Sequence, residues 1–153
     1  MSNITEVESV SIGETVKTTE LVQLETDKEY YQGEVLCNTN VKHGDGVLVD
    51  KSLMLKYTGS FQNNQKHCDA GQLVSLSEAN ELVEYRGSFE KDRFHGMGIL
   101  LMNDGFMYKG QFDRGYPTEG MCFYPNGDEF TGTLTKDRLR DGYGVLIYAN
   151  SQE

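Results

Sequence analysis

The stretch that decides the fold is Tyr85-Arg86-Gly87-Ser88-Phe89, followed by His95-Gly96-Met97-Gly98 and then by Asn103-Asp104-Gly105. In an extended strand successive side chains point to opposite faces, so Tyr85, Gly87 and Phe89 share one face and Arg86 and Ser88 the other. Two rings then flank a bare Cα, which leaves room for a ring to lie against backbone. Asn-Asp-Gly closes the unit, because these residues accept a positive φ at little cost. The stretch therefore reads as strand, loop, strand, tight turn.

The same form recurs outward in both directions. Tyr31-Gln-Gly33-Glu-Val35, Tyr57-Thr-Gly59-Ser-Phe61, Tyr108-Lys-Gly110-Gln-Phe112 and Phe130-Thr-Gly132-Thr-Leu134 repeat the aromatic-x-Gly-x-apolar pattern. The five units start at 31, 57, 85, 108 and 130, at spacings of 26, 28, 23 and 22 residues. Self-similarity at such a period marks a repeat architecture and outranks any local reading. The second element also recurs, as His43-Gly44-Asp-Gly46 and as Asp141-Gly142-Tyr-Gly144. Units two and four depart from it, with His67-Cys68-Asp-Ala70 and Pro117-Thr-Glu-Gly120 in its place. Residues 20–30 repeat the spacing of a second strand without its first, which predicts a capping half unit ahead of the array. Stacked units predict an all-β, elongated single-layer antiparallel sheet, with a stripe of rings and glycines for a core.

Composition agrees with a thin core. The 153 residues are 37% hydrophobic, below the usual 45–50% of a globular domain even though that range counts Gly. Nine Tyr and seven Phe nonetheless exclude wholesale disorder. No apolar run is long enough for a membrane-spanning helix, and the N-terminus has neither the basic nor the apolar region of a secretory signal. The net charge of −10 argues against nucleic-acid and anionic-lipid partners. Half of that excess sits in residues 1–30, with seven acids against two bases. Residues 1–19 read as an acidic, flexible tail that contacts a basic partner. Lys136, Arg138 and Arg140 are the tightest basic group, and the intervening Asp137 makes a solvated loop the expectation. Cys37, Cys68 and Cys122 are odd in number with no CxxC pair, which points to reduced thiols and an intracellular, cytoplasmic setting.

Catalytic constellations were sought and none is expected. His67 and Cys68 are sequence neighbours, so a strand would send them to opposite faces. Gly44-Asp-Gly46 and Gly96-Met-Gly98 lack both the third glycine and the following helix of a phosphate cradle. His43, His67 and His95 occupy equivalent positions, and the expected role is a structural hydrogen bond at the loop-to-strand corner rather than a metal ladder. No metal, cofactor or catalytic residue is assigned.

Taken together, Tyr-x-Gly-x-Phe, His-Gly-x-Gly and Asp-Gly at this period resemble the MORN (membrane occupation and recognition nexus) repeat over about residues 20–153. The resemblance implies a non-enzymatic scaffold or protein-interaction subunit of a cytoskeletal assembly, such as a ciliary or flagellar axoneme. The alternative it implies is a membrane-associated tether that binds phospholipid headgroups. Two docking surfaces are expected. One is an aromatic groove lined by Tyr57, Phe61, Tyr85, Phe89, Tyr108, Phe112 and Phe130, beyond their role as the array's own core. The other is a C-terminal edge strand, Val145, Leu146, Ile147 and Tyr148, with no Lys, Pro or bulge to blunt it. A protein partner or a second copy would cover them.

Overall fold

The computed structural model describes residues 18–149. Twelve strands lie in a single open antiparallel sheet: β1(Thr19–Glu25), β2(Glu29–Leu36), β3(Lys42–Asp50), β4(Leu55–Gln62), β5(Gln65–Lys66), β6(Cys68–Ser75), β7(Leu82–Glu90), β8(Arg93–Met102), β9(Met107–Asp113), β10(Tyr116–Phe123), β11(Glu129–Leu134) and β12(Arg140–Ile147). The strands are neighbours in chain order, except that the two-residue β5 pairs only with β4 and leaves β6 as the next full strand. The expected tail at residues 1–19 lies outside the described residues apart from its last two, and Thr19 already belongs to β1.

Register explains why the motif recurs. In units one, three, four and five the first-strand glycine pairs with the last glycine of the second-strand motif, and in unit two the pairing stops at Thr58–Gln72, one position short of Gly59 and Gly71. Gly33 faces Gly46, Gly46 faces Gly59, and Gly71, Gly87, Gly98, Gly110, Gly120, Gly132 and Gly144 continue the line. One bare strip thus crosses the sheet. Two residues away runs a row in which ring and aliphatic alternate. Leu24 faces Tyr31, Tyr31 faces Leu48, Leu48 faces Tyr57, and the order continues to Phe130 against Leu146, with Cys122 in the aliphatic place between Tyr108 and Phe130. β1 supplies Val22 and Leu24 to these two rows, so it completes the first unit as a partner strand.

Each ring uses the strip. A Cβ on Gly98 would sit 2.5 Å from the Tyr85 Oη and 2.6 Å from its Cε2; one on Gly110 would sit 2.5 Å from the Tyr108 Oη. The tyrosine therefore folds over its own glycine and the facing one. Its hydroxyl donates to the carbonyl three residues on: Tyr31 to Glu34 (2.6 Å), Tyr57 to Ser60 (2.8 Å), Tyr85 to Ser88 (2.9 Å) and Tyr108 to Gln111 (2.8 Å). The Phe of each motif then meets rings edge-on. Tyr31–Phe61, Phe61–Tyr57, Tyr57–Phe89, Phe89–Tyr85, Tyr85–Phe112 and Phe112–Tyr108 lie 5.0–5.3 Å apart at 79–90°. Such edge-to-face pairs each contribute about 0.5–1.5 kcal/mol beyond area burial. The core is this continuous ladder of rings.

The second-strand motif makes a bulge. Between Gly87↔Gly98 and Ser88↔His95, β8 carries two extra residues, Gly96 and Met97. Gly142 and Tyr143 do the same in β12. Gly96 and Gly142 adopt φ of +58° and +61°, which L side chains resist. Units two and four lack this glycine yet keep a register shift, between Cys68 and Gly71 and between Pro117 and Gly120. Sequence departures there shorten the bulge from two extra residues to one.

Candidate interaction surface

The seven rings expected to line a groove lie in one continuous row on the same face, but each is only 0–5% exposed. Their faces and edges are occupied by one another, by Gly backbone and by the aliphatic row. They are core, and any occupant of that face would touch other residues. Burial also raises the tyrosine hydroxyls: Tyr31 and Tyr108 to about 12, and Tyr57 and Tyr85 further still. For Tyr57 the Cys68 thiol adds to the effect of burial, with Sγ 3.2 Å from Oη.

The histidine expectation needs correction. His43 and His95 are half-buried, but the Nδ1 of each is buried with no hydrogen-bond partner. The His95 ring instead lies between two carboxylates, Glu90 at 3.5 Å from Nε2 and Asp113 at 3.8 Å from Nδ1. It is the backbone amide of His95 that bonds the Tyr85 hydroxyl. Strand geometry accounts for this: the bulge turns the amide toward the ring face and leaves the imidazole at the rim. Among the described residues, no three His, Cys, Asp or Glu side chains converge as a metal site. Among the described residues Cys68 and Cys122 form no disulfide, and burial raises the Cys122 thiol.

The basic group lies at the expected solvated hairpin turn. Lys136, Arg138 and Arg140 are exposed, yet each lies over an aromatic ring. Lys136 Nζ is 5.4 Å from the Tyr116 centroid and the Arg138 guanidinium 5.9 Å from Phe106. Arg140 lies 5.6 Å from Tyr124 and 5.7 Å from Phe130. The β11–β12 turn is held by Arg138 N to Thr135 O (2.9 Å) and Thr135 N to Leu139 O (2.8 Å). This hairpin carries its cations over the C-terminal end of the ring face.

The opposite face was missed by sequence reading, and it changes character along the array. Across β4, β6 and β7 it carries Lys56, Thr58, Gln72, Glu84 and Arg86, with Glu84 bonded to both Gln72 and Arg86 at 2.5 Å. Those bonds, Gln72 first, hold the Glu84 carboxyl below its usual range. Farther along, β8, β10 and β12 set apolar side chains on it, while β9 and β11 place Lys109, Gln111, Glu129 and Thr131 between them. Met97, Ile99, Met121, Val145 and Ile147 are 39–63% exposed, and Leu101, Met107 and Phe123 form an unbroken cross-strand run beside them. The signal was present in the alternate positions of each second strand, such as Met97, Ile99 and Leu101, which flank residues assigned to the core.

β12 is the outermost strand, and Thr131 and Glu129 of β11 separate its Val145 and Ile147 from Met121 and Phe123 of β10. Among the described residues β12 pairs only with β11. Val145 and Ile147 are 63% and 47% exposed, and Tyr143 is almost fully so. Leu146 continues the aliphatic row against Phe130 on the ring face, and Tyr148 follows the strand's end at 57% exposure. No Lys or Pro lies on β12, and its bulge falls at Gly142–Tyr143, ahead of the apolar run.

The family model for the MORN repeat matches residues 57–67, 85–107 and 139–153. These are the first strand of the second unit, the whole third unit, and the second strand of the fifth.

Proposed function

We propose that this chain, a MORN-repeat protein, is a non-enzymatic docking subunit that holds protein partners on its C-terminal half. MORN repeats act as interaction modules for protein or lipid, and no helix among the described residues is long and apolar enough to cross a membrane. The observation that carries the protein reading is β12: an outer strand with an open edge that sets Val145 and Ile147 on one face and Leu146 on the other. An exposed edge offers a row of backbone donors and acceptors to a partner strand, and adjacent apolar side chains add selectivity. A cytoskeletal assembly, with a ciliary or flagellar axoneme as the specific setting, is the context we infer from family resemblance alone.

The test is capture by the tagged chain from detergent-extracted cells, with Val145→Lys/Ile147→Lys as the comparison. Retention in the detergent-resistant pellet with a defined protein set, lost in the variant, supports the reading. Release with detergent, together with flotation on phosphoinositide vesicles, would overturn it in favour of a lipid tether.

A further inference from the structure

β12 copies β8. Gly142, Gly144 and Leu146 stand where β8 has Gly96, Gly98 and Leu100, and Gly142 and Gly96 share a left-handed backbone, at φ of +61° and +58°. β8 is paired on both sides. Its far side meets a first strand, β9, with Gly98 opposite Gly110, Leu100 opposite Tyr108 and Gly96 opposite Phe112. β3 meets β4 in the same register, with Gly46 opposite Gly59, Leu48 opposite Tyr57 and Gly44 opposite Phe61. The incoming Phe also covers the ring of the unit before it. Phe61 lies edge-on to Tyr31 at 5.3 Å, Phe89 to Tyr57 at 5.0 Å and Phe112 to Tyr85 at 5.2 Å. Phe130, the ring of the fifth unit, meets no other ring edge-on among the described residues, and the Arg140 guanidinium lies 5.7 Å from its centroid instead. β12 thus carries the residues of a strand paired on both sides, but among the described residues it pairs on one.

We propose that the open edge of β12 takes an extended, antiparallel segment of another protein that carries aromatic-x-Gly-x-Phe. Its glycine lies opposite Gly144, its aromatic residue opposite Leu146, and its Phe opposite Gly142 and over Phe130. This partner chemistry rests on β12 being a docking edge, as proposed above, and narrows what that edge selects. Backbone pairing supplies the hydrogen bonds, and alternate side chains supply the selectivity. The partner's rings cover Leu146, which is half-buried, whereas its counterpart Leu100 is only 6% exposed beneath Tyr108 and its neighbours. The glycine is required because the aromatic residue of such a strand folds over it: a Cβ on Gly110 would sit 2.5 Å from the Tyr108 Oη. A second copy does not supply this pattern from its outer strands. β12 against itself, with Gly144 opposite Gly144, sets Gly142 against Leu146. β1 carries Val22 in the glycine row and Leu24 in the ring row.

Binding of a synthetic peptide to the purified full chain tests this. The probe copies β9, Met107-Tyr108-Lys109-Gly110-Gln111-Phe112-Asp113, the strand that β8 pairs with. It should bind saturably by calorimetry. In hydrogen-exchange NMR it should slow the outward-facing backbone amides of residues 144–148 and leave the other strands unchanged. Gly110→Ala in the peptide should weaken binding about tenfold, and Tyr108→Ala or Phe112→Ala in the peptide should do so at least as strongly. Equal binding by the Gly110→Ala peptide would overturn the proposal, as would protection that falls on strands other than β12. So would a purified chain that is already dimeric by analytical ultracentrifugation, with residues 144–148 protected before peptide is added, which would give the edge to a second copy. Absence of peptide binding overturns it too. If capture from cells through β12 then persists, the docking edge stands and only this choice of partner falls; if that capture also fails, both fall.

Discussion

Replacing Gly98 by Ala separates two reasons for glycine in this array. The new Cβ would lie 2.5–2.7 Å from Tyr85 Oη, Cε2 and Cζ, where ordinary contact is 3.4 Å or more. The ring must retreat by about 1 Å, and it has no empty space to enter. It stacks on Phe94 at 3.8 Å, meets Phe89 and Phe112 edge-on at 5.1 and 5.2 Å, and donates to Ser88 O at 2.9 Å. Overpacking of this kind costs about 1–3 kcal/mol, and a strained or lost hydrogen bond adds about 1 kcal/mol. The expected loss is therefore about 3 kcal/mol, or a Tm lower by roughly 6–12 °C for a chain of this size. In a Tyr85→Leu background, which mimics the aliphatic half of the same row, Gly98→Ala should cost almost nothing more. Gly96→Ala is the control. Its Cβ would meet nothing nearer than Ser88 Oγ at 3.3 Å, so its cost is the left-handed backbone at +58°, about 1–2 kcal/mol. That cost should not depend on Tyr85. Thermal or urea unfolding of the three single variants and the two doubles measures these terms. A Gly98→Ala loss that is equal in both backgrounds would refute the account of a ring seated on a glycine strip.

Other expectations follow from the same geometry. Tyr108→Phe leaves the carbonyls of Gln111 and Glu119, both 2.8 Å from Oη, without that donor; a loss of about 1–2 kcal/mol is expected in urea unfolding. The tyrosine hydroxyls titrate higher in the folded chain than the usual value near 10. The folded state then binds more protons, so stability should hold below pH 10 and fall as pH rises through about 12; alkaline unfolding followed by tyrosinate absorbance checks the sign. Val145→Lys and Ile147→Lys should leave Tm within about 1 °C, because both side chains are largely exposed, while removing any protein captured through β12. Cys122 is fully buried and its thiol is raised, so in a native thiol titration it should react far more slowly than in denaturant.

The repeat was legible because its determinants are local and periodic. Tyr85, Gly87 and Phe89 could be placed on one face from spacing alone, and they lie there. The pairing of Gly87 with Gly98 was harder to see. It depends on a two-residue bulge whose size no propensity specifies, and it is the pairing that creates the continuous bare strip. Burial of the seven rings was also underestimated. A single-layer sheet covers these side chains because the Tyr–Phe ladder closes edge to face, which spacing alone does not show. The apolar side chains of the opposite face were overlooked for a different reason: Ile99 and Leu101 alternate with Leu100, and a continuous apolar run hides which residues point where. Lys136, Arg138 and Arg140 are solvated as read, but their aromatic neighbours, Tyr116, Phe106 and Tyr124, come from other units and could not be seen in spacing.

The way β4 meets β6 bears on how such a chain would carry load. There the second strand of the unit is divided: β4 pairs with β6 at Leu55–Ser75, Lys56–Val74, Tyr57–Leu73 and Thr58–Gln72, and with β5 at Phe61–Lys66 and Gln62–Gln65. Tension applied between the two ends of the array runs across the strands, so the junctions bear it in series. Load would open this junction in two steps, one for each half of the divided strand, whereas β3 and β4 hold seven consecutive positions that must shear as one run.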